Sequence, residues 1–142
     1  MCIRDRVTEA VRAAGKLPNL YVTDFIKDMA AAYAASDLVI SRAGAGSISE
    51  FCLLHKPVVL VPSPNVAEDH QTKNALALVD KQAAIYVKDS EAEAKLMDVA
   101  LKTVADDQKL KELSDNIAKL ALPDSARIIA QEVIKLAETE NK

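Results

Sequence analysis

A short apolar run without polar alternation is the sequence feature that most constrains the fold. Residues 57–62 read "PVVLVP", with no charged or polar side chain. A strand with one face in water alternates apolar and polar residues, whereas a strand covered on both faces does not. Similar short runs, "DLVIS" and "AAIYV", occur before and after it, separated by helical patterns. The alternation of short strands with helices along the chain predicts an α/β domain, a Rossmann-like parallel sheet with flanking helices.

The pattern along the chain predicts four strands, at residues 20–23, 37–41, 57–62 and 83–87. Helical patterns lie at residues 7–14, 29–36, 47–55 and 70–81, and from 90 to 140 with a break at 122–125. We expect Asp28 to be a helix N-cap, and Ser90 to form a capping box with Glu93, three residues later.

The domain organisation follows from length and from the first residues. A chain of 142 residues has the length of one domain. Its opening "MCIRDR" has no periodicity, and residues 7–14 already read as a helix. We therefore expect residues 1–6 to be a non-native remnant of sequence assembly or cloning, and residues 7–142 to be a partial domain.

Composition excludes several function classes. The net charge of −3 and the 4% aromatic content disfavour a nucleic-acid-binding surface. No apolar run approaches the roughly 20 residues that a membrane-spanning helix needs. Two cysteines and no secretion signal indicate a reducing cytoplasm. The two histidines lie fifteen residues apart and make no metal-ligand pattern with the cysteines, so no metal is predicted.

A glycine-containing turn, "SRAGAGSISE" at residues 41–50, connects a predicted strand to a predicted helix. Gly44, Ala45 and Gly46 have little or no side chain, and a helix beginning at Ser47 would present unpaired backbone N–H groups. In parallel sheets, ligands bind beyond the carboxyl ends of the strands, where this turn lies. The turn is either a phosphate or diphosphate site or a tight connection without a ligand.

Two further groups of residues have two interpretations each. Ser47 and Glu50 have capping-box spacing, but a carboxylate there also suits the two hydroxyls of a ribose. His70, Gln71 and Asn74 share one face of a helix start, where neutral donors and acceptors suit a sugar. The alternative for these three is a helix capped by Asp69, with its polar side chains in water.

Three segments together resemble a known family. "DFIKDMAAAYAASDLVISRAGAGSISE", "KPVVLVPSP" and "EDHQTKNA" are similar in order and spacing to the C-terminal half of the MurG family of bacterial peptidoglycan glycosyltransferases, glycosyltransferase family 28. The resemblance covers residues 7–142 and implies a GT-B fold, made of two Rossmann-like domains. It also implies transfer of N-acetylglucosamine from UDP-GlcNAc to lipid I, at the cytoplasmic face of the plasma membrane, without a metal for donor binding.

The resemblance implies roles for individual residues. Ile26 matches a residue whose backbone pairs with uracil, and Met29 one that packs near the nucleotide. Gly44, Ala45, Gly46 and Ser47 match the diphosphate turn, and Glu50 matches the ribose ligand. Gln71 and Asn74 match residues near the transferred sugar, with His70 beside them. The general base and the lipid I pocket belong to the family's N-terminal half, so no catalytic residue is expected here.

The resemblance also implies that the first strands of the domain are missing. We expect a gap two strands wide between residues 20–23 and 37–41, or a strand that slides in to close it, and a marginally stable chain inactive in transfer. Three alternatives stay open: a stand-alone UDP-sugar-binding subunit of a split transferase, a related lipid glycosyltransferase, and a plain α/β domain without a ligand.

Overall fold

The computed structural model describes residues 18–23, 25–64 and 69–140. The chain divides into two compact units, residues 1–35 and residues 36–142. The predicted helix at residues 7–14 and the expected remnant at residues 1–6 lie outside the described residues.

The first unit contains one described helix, α1, at Met29–Ala35. Asp28 caps it as predicted, because its Oδ1 accepts a hydrogen bond of 2.9 Å from the amide of Ala31. The predicted strand at residues 20–23 is wrong, since these residues form no strand and Leu20, Tyr21 and Val22 are exposed. Their side chains favour strands, but a strand also needs a partner for its backbone N–H and C=O groups.

The second unit is built on a parallel sheet. Its strands are β1 at Val39–Ser41, β2 at Val58–Leu60 and β3 at Ile85–Tyr86, in the order β1-β2-β3. Val39 is in register with Val58, and Val59 with Ile85. Three of the four predicted strands and their parallel arrangement are confirmed. Because residues 20–23 form no strand, neither the expected two-strand gap nor the expected sliding strand is present in the described sheet.

The central strand β2 is covered on both faces, as its sequence predicts. Val58, Val59 and Leu60 are each 0% exposed. Val59 forms a buried cluster with Val61 and Val87. Leu38 and Ile85, together with apolar residues that follow β3, pack against this cluster. Full burial of each such side chain stabilises the fold by about 1.5–3 kcal/mol, so β2 organises the core of the unit.

The second unit contains five helices within the described residues. They are α2 at Ala45–Leu54, α3 at His70–Val79, α4 at Asp89–Val104, α5 at Asp107–Ala118 and α6 at Ser125–Glu140. Helix α5 packs against both α2 and α4. Phe51 of α2 and Leu113 and Ile117 of α5 are almost fully buried. Among these helices and α1, none combines the length and the hydropathy that crossing a bilayer requires.

The helix boundaries after β3 differ from the prediction. The chain breaks between α4 and α5 as well as at the predicted residues 122–125, and Asp106 caps α5 by accepting a 2.9 Å hydrogen bond from the amide of Lys109. The predicted capping box at Ser90 and Glu93 is wrong. Helix α4 begins at Asp89, so Ser90 lies inside the helix. Its N-cap is Lys88, and no side chain caps it.

Candidate functional site

The turn after β1 leads directly into an uncapped helix N-terminus. Gly44 is the N-cap of α2, with φ −69° and ψ 142°, and no side chain caps the helix. The amide of Ile48 donates to the carbonyl of Gly44 at 3.0 Å, which is the first hydrogen bond of the helix. The amides of Ala45, Gly46 and Ser47 therefore precede the intrahelical ladder. This end of α2 carries a partial positive charge of roughly half a unit.

The expected capping box of Ser47 and Glu50 is wrong. Helix α2 begins two residues before Ser47, so Ser47 lies within the first turn and is not the N-cap. Glu50 lies one turn beyond Gly46, and its side chain is exposed.

The two glycines of the turn are not required by the backbone or by packing. Neither has a positive φ, so neither position needs the left-handed conformation that glycine tolerates. A Cβ built on Gly44 would lie 4.0 Å from Ser47 Oγ, and one on Gly46 would meet nothing within 4 Å. A tight connection alone therefore does not explain glycine at these positions. The space beside Gly46 is open to an approaching group.

Two side chains near the start of α3 are hydrogen-bonded to the loops that follow β1 and β2. Asn74 Nδ2 donates to the carbonyl of Ala43 at 3.2 Å, one residue before Gly44. Gln71 Oε1 accepts a 2.9 Å hydrogen bond from the amide of Ser63, in the loop after β2. Both side chains are half-buried, so the interpretation that they simply face water is wrong.

His70 and Asp69 differ from these two amides. His70 begins α3 and is exposed. Asp69 occupies the N-cap position with φ 55°, but its side chain makes no capping hydrogen bond. Asp69 therefore occupies the predicted N-cap position, but its side chain does not cap the helix as predicted.

Sequence reasoning missed Arg42, which follows β1 and contacts residues that follow β2 and β3. Its Nη1 donates to the carbonyl oxygens of Val61 at 3.1 Å and of Pro62 at 3.2 Å. It also forms an ion pair with the carboxylate of Asp89, the first residue of α4. The available signal was its place directly after a strand, since polar residues at that end of a parallel sheet face the ligand edge.

The predicted site residues divide between the two units. Gly44, Ala45, Gly46, Ser47 and Glu50 lie on one helix start, and Ala43 joins them to Asn74 through a hydrogen bond. The uracil contact predicted for Ile26 and the packing role of Met29 belong to the first unit, where both side chains are exposed. No described residues form a group of three or more His, Cys, Asp or Glu that could hold a metal ion.

The arrangement in the second unit suits an anion bonded to a polyol. Backbone amides at the start of α2 are donors for phosphate oxygens. The neutral amide side chains at the start of α3 lie at the same edge and suit hydroxyl groups. Together they offer one subsite for negative charge and one for a sugar.

Comparisons with known proteins agree with this geometry. The family model for the glycosyltransferase family 28 C-terminal domain matches residues 4–129. A UDP-N-acetylglucosamine–N-acetylmuramyl-(pentapeptide) pyrophosphoryl-undecaprenol N-acetylglucosamine transferase from Bacteroides thetaiotaomicron is 96% identical over 136 residues, which is 96% of this chain and 37% of the relative. A Bacteroides fragilis protein of the same name is 81% identical over 133 residues, or 94% of this chain and 35% of the relative.

A solved structure is similar as well. The crystal structure of Acinetobacter baumannii MurG superposes with a TM-score of 0.74 at 33% sequence identity, over 81% of this chain and 33% of that one. The present chain thus spans about a third of the length of these relatives. The parallel sheet and its structural similarity to MurG agree with the fold of the matched family. The chain belongs to glycosyltransferase family 28 and carries the Rossmann-like C-terminal domain of that GT-B family.

Proposed function

We propose that this chain supplies the UDP-GlcNAc-binding part of a transferase that moves N-acetylglucosamine to lipid I and forms lipid II. The observation that carries the proposal is the uncapped start of α2 beside two glycines that the fold does not require. The names of the relatives, which state an N-acetylglucosamine transferase using the UDP sugar, support the choice of donor.

The diphosphate of the donor binds at Gly44, Ala45, Gly46 and Ser47. Its oxygens accept hydrogen bonds from the amides that precede the helical ladder, and the helix dipole favours their charge. Transfer of the sugar makes UDP the leaving group, so negative charge grows on the oxygens nearest the sugar. Donors that are already oriented stabilise this charge without reorganisation, which lowers the barrier.

The remaining donor contacts are proposed for other residues, of which Ile26 belongs to the first unit and the rest to the second. Glu50, on the exposed side of α2 one turn further along, binds the ribose hydroxyls, and Ile26 pairs with uracil. Gln71 uses its carbonyl oxygen to hold Ser63, which leaves its NH2 group as a donor to the sugar. Asn74 uses its NH2 group to hold Ala43, which leaves its carbonyl oxygen as an acceptor. His70 lies beside them at the start of α3.

The acceptor lipid and the general base belong to the rest of the full-length protein, which acts as a peripheral protein on the inner face of the plasma membrane. Donor binding uses no metal ion, because the positive end of α2 supplies the electrostatic attraction. We therefore expect this chain to bind the donor without transferring the sugar by itself.

Calorimetry tests this proposal on a full-length chimera, in which this chain replaces the segment of the Bacteroides thetaiotaomicron relative that it matches. We expect UDP and UDP-GlcNAc to bind more tightly than UMP, because UMP lacks the second phosphate. Binding should be unchanged in EDTA, and ADP should bind more weakly than UDP. Equal binding of UDP, UDP-GlcNAc and UMP, or no binding of any of them, would contradict the proposal.

A further inference from the structure

We propose that Arg42 is a positioning residue, which fixes the turn before α2 against the loop after β2. The inference rests on the proposed function, because it concerns the spacing between the diphosphate and the sugar subsites. Arg42 follows β1 directly, and only Ala43 separates it from the N-cap Gly44.

A single nitrogen of Arg42 joins the carboxyl ends of all three strands. Nη1 donates to the carbonyl oxygens of Val61 and Pro62, the two residues after β2. The same nitrogen pairs with Asp89, three residues after β3. Because Nη1 carries two hydrogens, the three acceptors share them. The end of β1 is thereby tied to the ends of β2 and β3 at one point.

The exposure of this ion pair indicates an effect on geometry more than on global stability. The side chain of Arg42 is 51% exposed and that of Asp89 is 34% exposed. Ion pairs this accessible to water contribute little to the free energy of unfolding. A planar guanidinium nevertheless holds its acceptors in fixed directions, which an ammonium group on a flexible stem does not.

A second anchor acts on the next residue of the same turn. Ala43 is 0% exposed, and its carbonyl accepts the hydrogen bond from Asn74 at the start of α3. The two residues before Gly44 are thus held from different elements, Arg42 by the loop after β2 and Ala43 by α3. The diphosphate turn is consequently fixed relative to the amide side chains of α3.

This spacing matters only for a ligand that reaches both subsites. UDP occupies the turn, whereas UDP-GlcNAc occupies the turn and extends to the start of α3. A misplacement of about 1 Å in a site of this kind lowers the rate by about 10²-fold. Loss of the Arg42 anchor should therefore affect transfer from UDP-GlcNAc more than binding of UDP.

Substitution of Asp89 distinguishes a positioning role of Arg42 from direct contact of Arg42 with the ligand. If Arg42 only positions the turn, the substitution Asp89→Asn weakens the anchor and lowers kcat/KM for UDP-GlcNAc. If the guanidinium instead bound the diphosphate, removal of its carboxylate partner would leave more of its charge for the ligand, and UDP would bind more tightly.

The test uses the full-length chimera described above and measures kcat and KM for UDP-GlcNAc together with calorimetric affinity for UDP. We expect Arg42→Ala to lower kcat/KM by about 10–100-fold and to weaken UDP binding much less. Asp89→Asn should act in the same direction with a smaller loss. The double variant should be no worse than Arg42→Ala alone, because both substitutions remove one interaction.

Lys111→Ala is the matched control, since it removes an exposed ion pair with Asp115 within α5 and should leave kcat/KM unchanged. An Arg42→Ala variant with unchanged kcat/KM would overturn the inference. So would an equal loss of UDP affinity and of kcat/KM for UDP-GlcNAc, or tighter UDP binding in Asp89→Asn. If the unsubstituted chimera binds no UDP, the proposed function fails, and this inference falls with it.

Discussion

At the scale of single residues, substitution of a glycine in the turn should affect ligand binding and the free energy of unfolding in different ways. Gly46 lies in the first turn of α2, and a Cβ there would meet nothing within 4 Å. We predict that Gly46→Ala raises the free energy of unfolding by about 0.5–1 kcal/mol, because alanine loses less backbone entropy in a helix. The same methyl group occupies space that the diphosphate needs, so UDP binding should weaken.

Urea denaturation and calorimetry on the same protein measure the two effects of Gly46→Ala. Gly44→Ala is a second variant for comparison, because its Cβ would make only an ordinary contact, at 4.0 Å from Ser47 Oγ. Unchanged UDP affinity in the Gly46 variant would mean that the ligand does not approach α2 at this point.

Cys52 provides a prediction of pH dependence. It is 5% exposed and lies in α2, and burial raises the pKa of its thiol above the ordinary value, an effect larger than the opposing backbone hydrogen bond. Less thiolate is then present at a given pH, so alkylation is slow. In a Cys2→Ser background, we predict slow reaction with iodoacetamide at pH 8 and much faster reaction in urea. Rapid alkylation of the folded protein would show that the thiol is accessible.

The raised pKa of Cys52 also predicts the direction in which stability changes with pH. The unfolded chain loses the thiol proton at a lower pH than the folded chain does. The contribution of this group is therefore complete below the ordinary thiol pKa and is lost as the pH rises through the higher folded value. The Cys52→Ala variant should show a weaker loss of stability at alkaline pH.

At the scale of elements, β2 and residues 20–23 should have opposite protection from amide exchange. The second unit holds its strands through regular parallel bonds, such as Val61 N to Ser41 O at 2.9 Å and Val87 N to Leu60 O at 3.0 Å. Residues 20–23 form no strand. We predict slow exchange at Val59 and Val61 and near-intrinsic rates at Leu20 and Val22, measured by NMR. Strong protection at Leu20 in a monomer would contradict this.

At the scale of the whole molecule, the last helix has exposed apolar side chains. Ile129, Val133 and Leu136 lie along one side of α6 and are 64%, 60% and 67% exposed. An apolar surface of this kind promotes association. We predict that the isolated chain binds an apolar fluorescent dye and self-associates at high concentration, as light scattering would detect.

Substitution of Ile129 and Val133 by lysine should reduce both effects. Gln131→Lys, at an exposed position of the same helix that is not apolar, is the matched control and should change neither. If the lysine variants scatter light as strongly as the parent chain, association arises from another surface, such as the edge of β1.

The architecture of the second unit was predictable from local patterns in the sequence. The unbroken apolar run of β2 predicted a strand buried on both faces, and all three of its residues are 0% exposed. The turn at Gly44–Ser47 and the polar start of α3 were also recognisable, because small residues and amides directly after strands follow local rules. Side-chain type and spacing are sufficient for such features.

Which groups contact one another depends on the tertiary fold. Leu-Tyr-Val-Thr at residues 20–23 favours a strand, but strand formation depends on a partner that propensity does not specify. The capping-box spacings at Ser47 and Ser90 were misleading, since each helix begins before the residue expected to cap it. The ties from Arg42 to Val61 and Pro62, and from Asn74 to Ala43, join residues that are 19–31 positions apart. Contacts at such separations depend on how the strands align, and no local pattern in the sequence encodes that alignment.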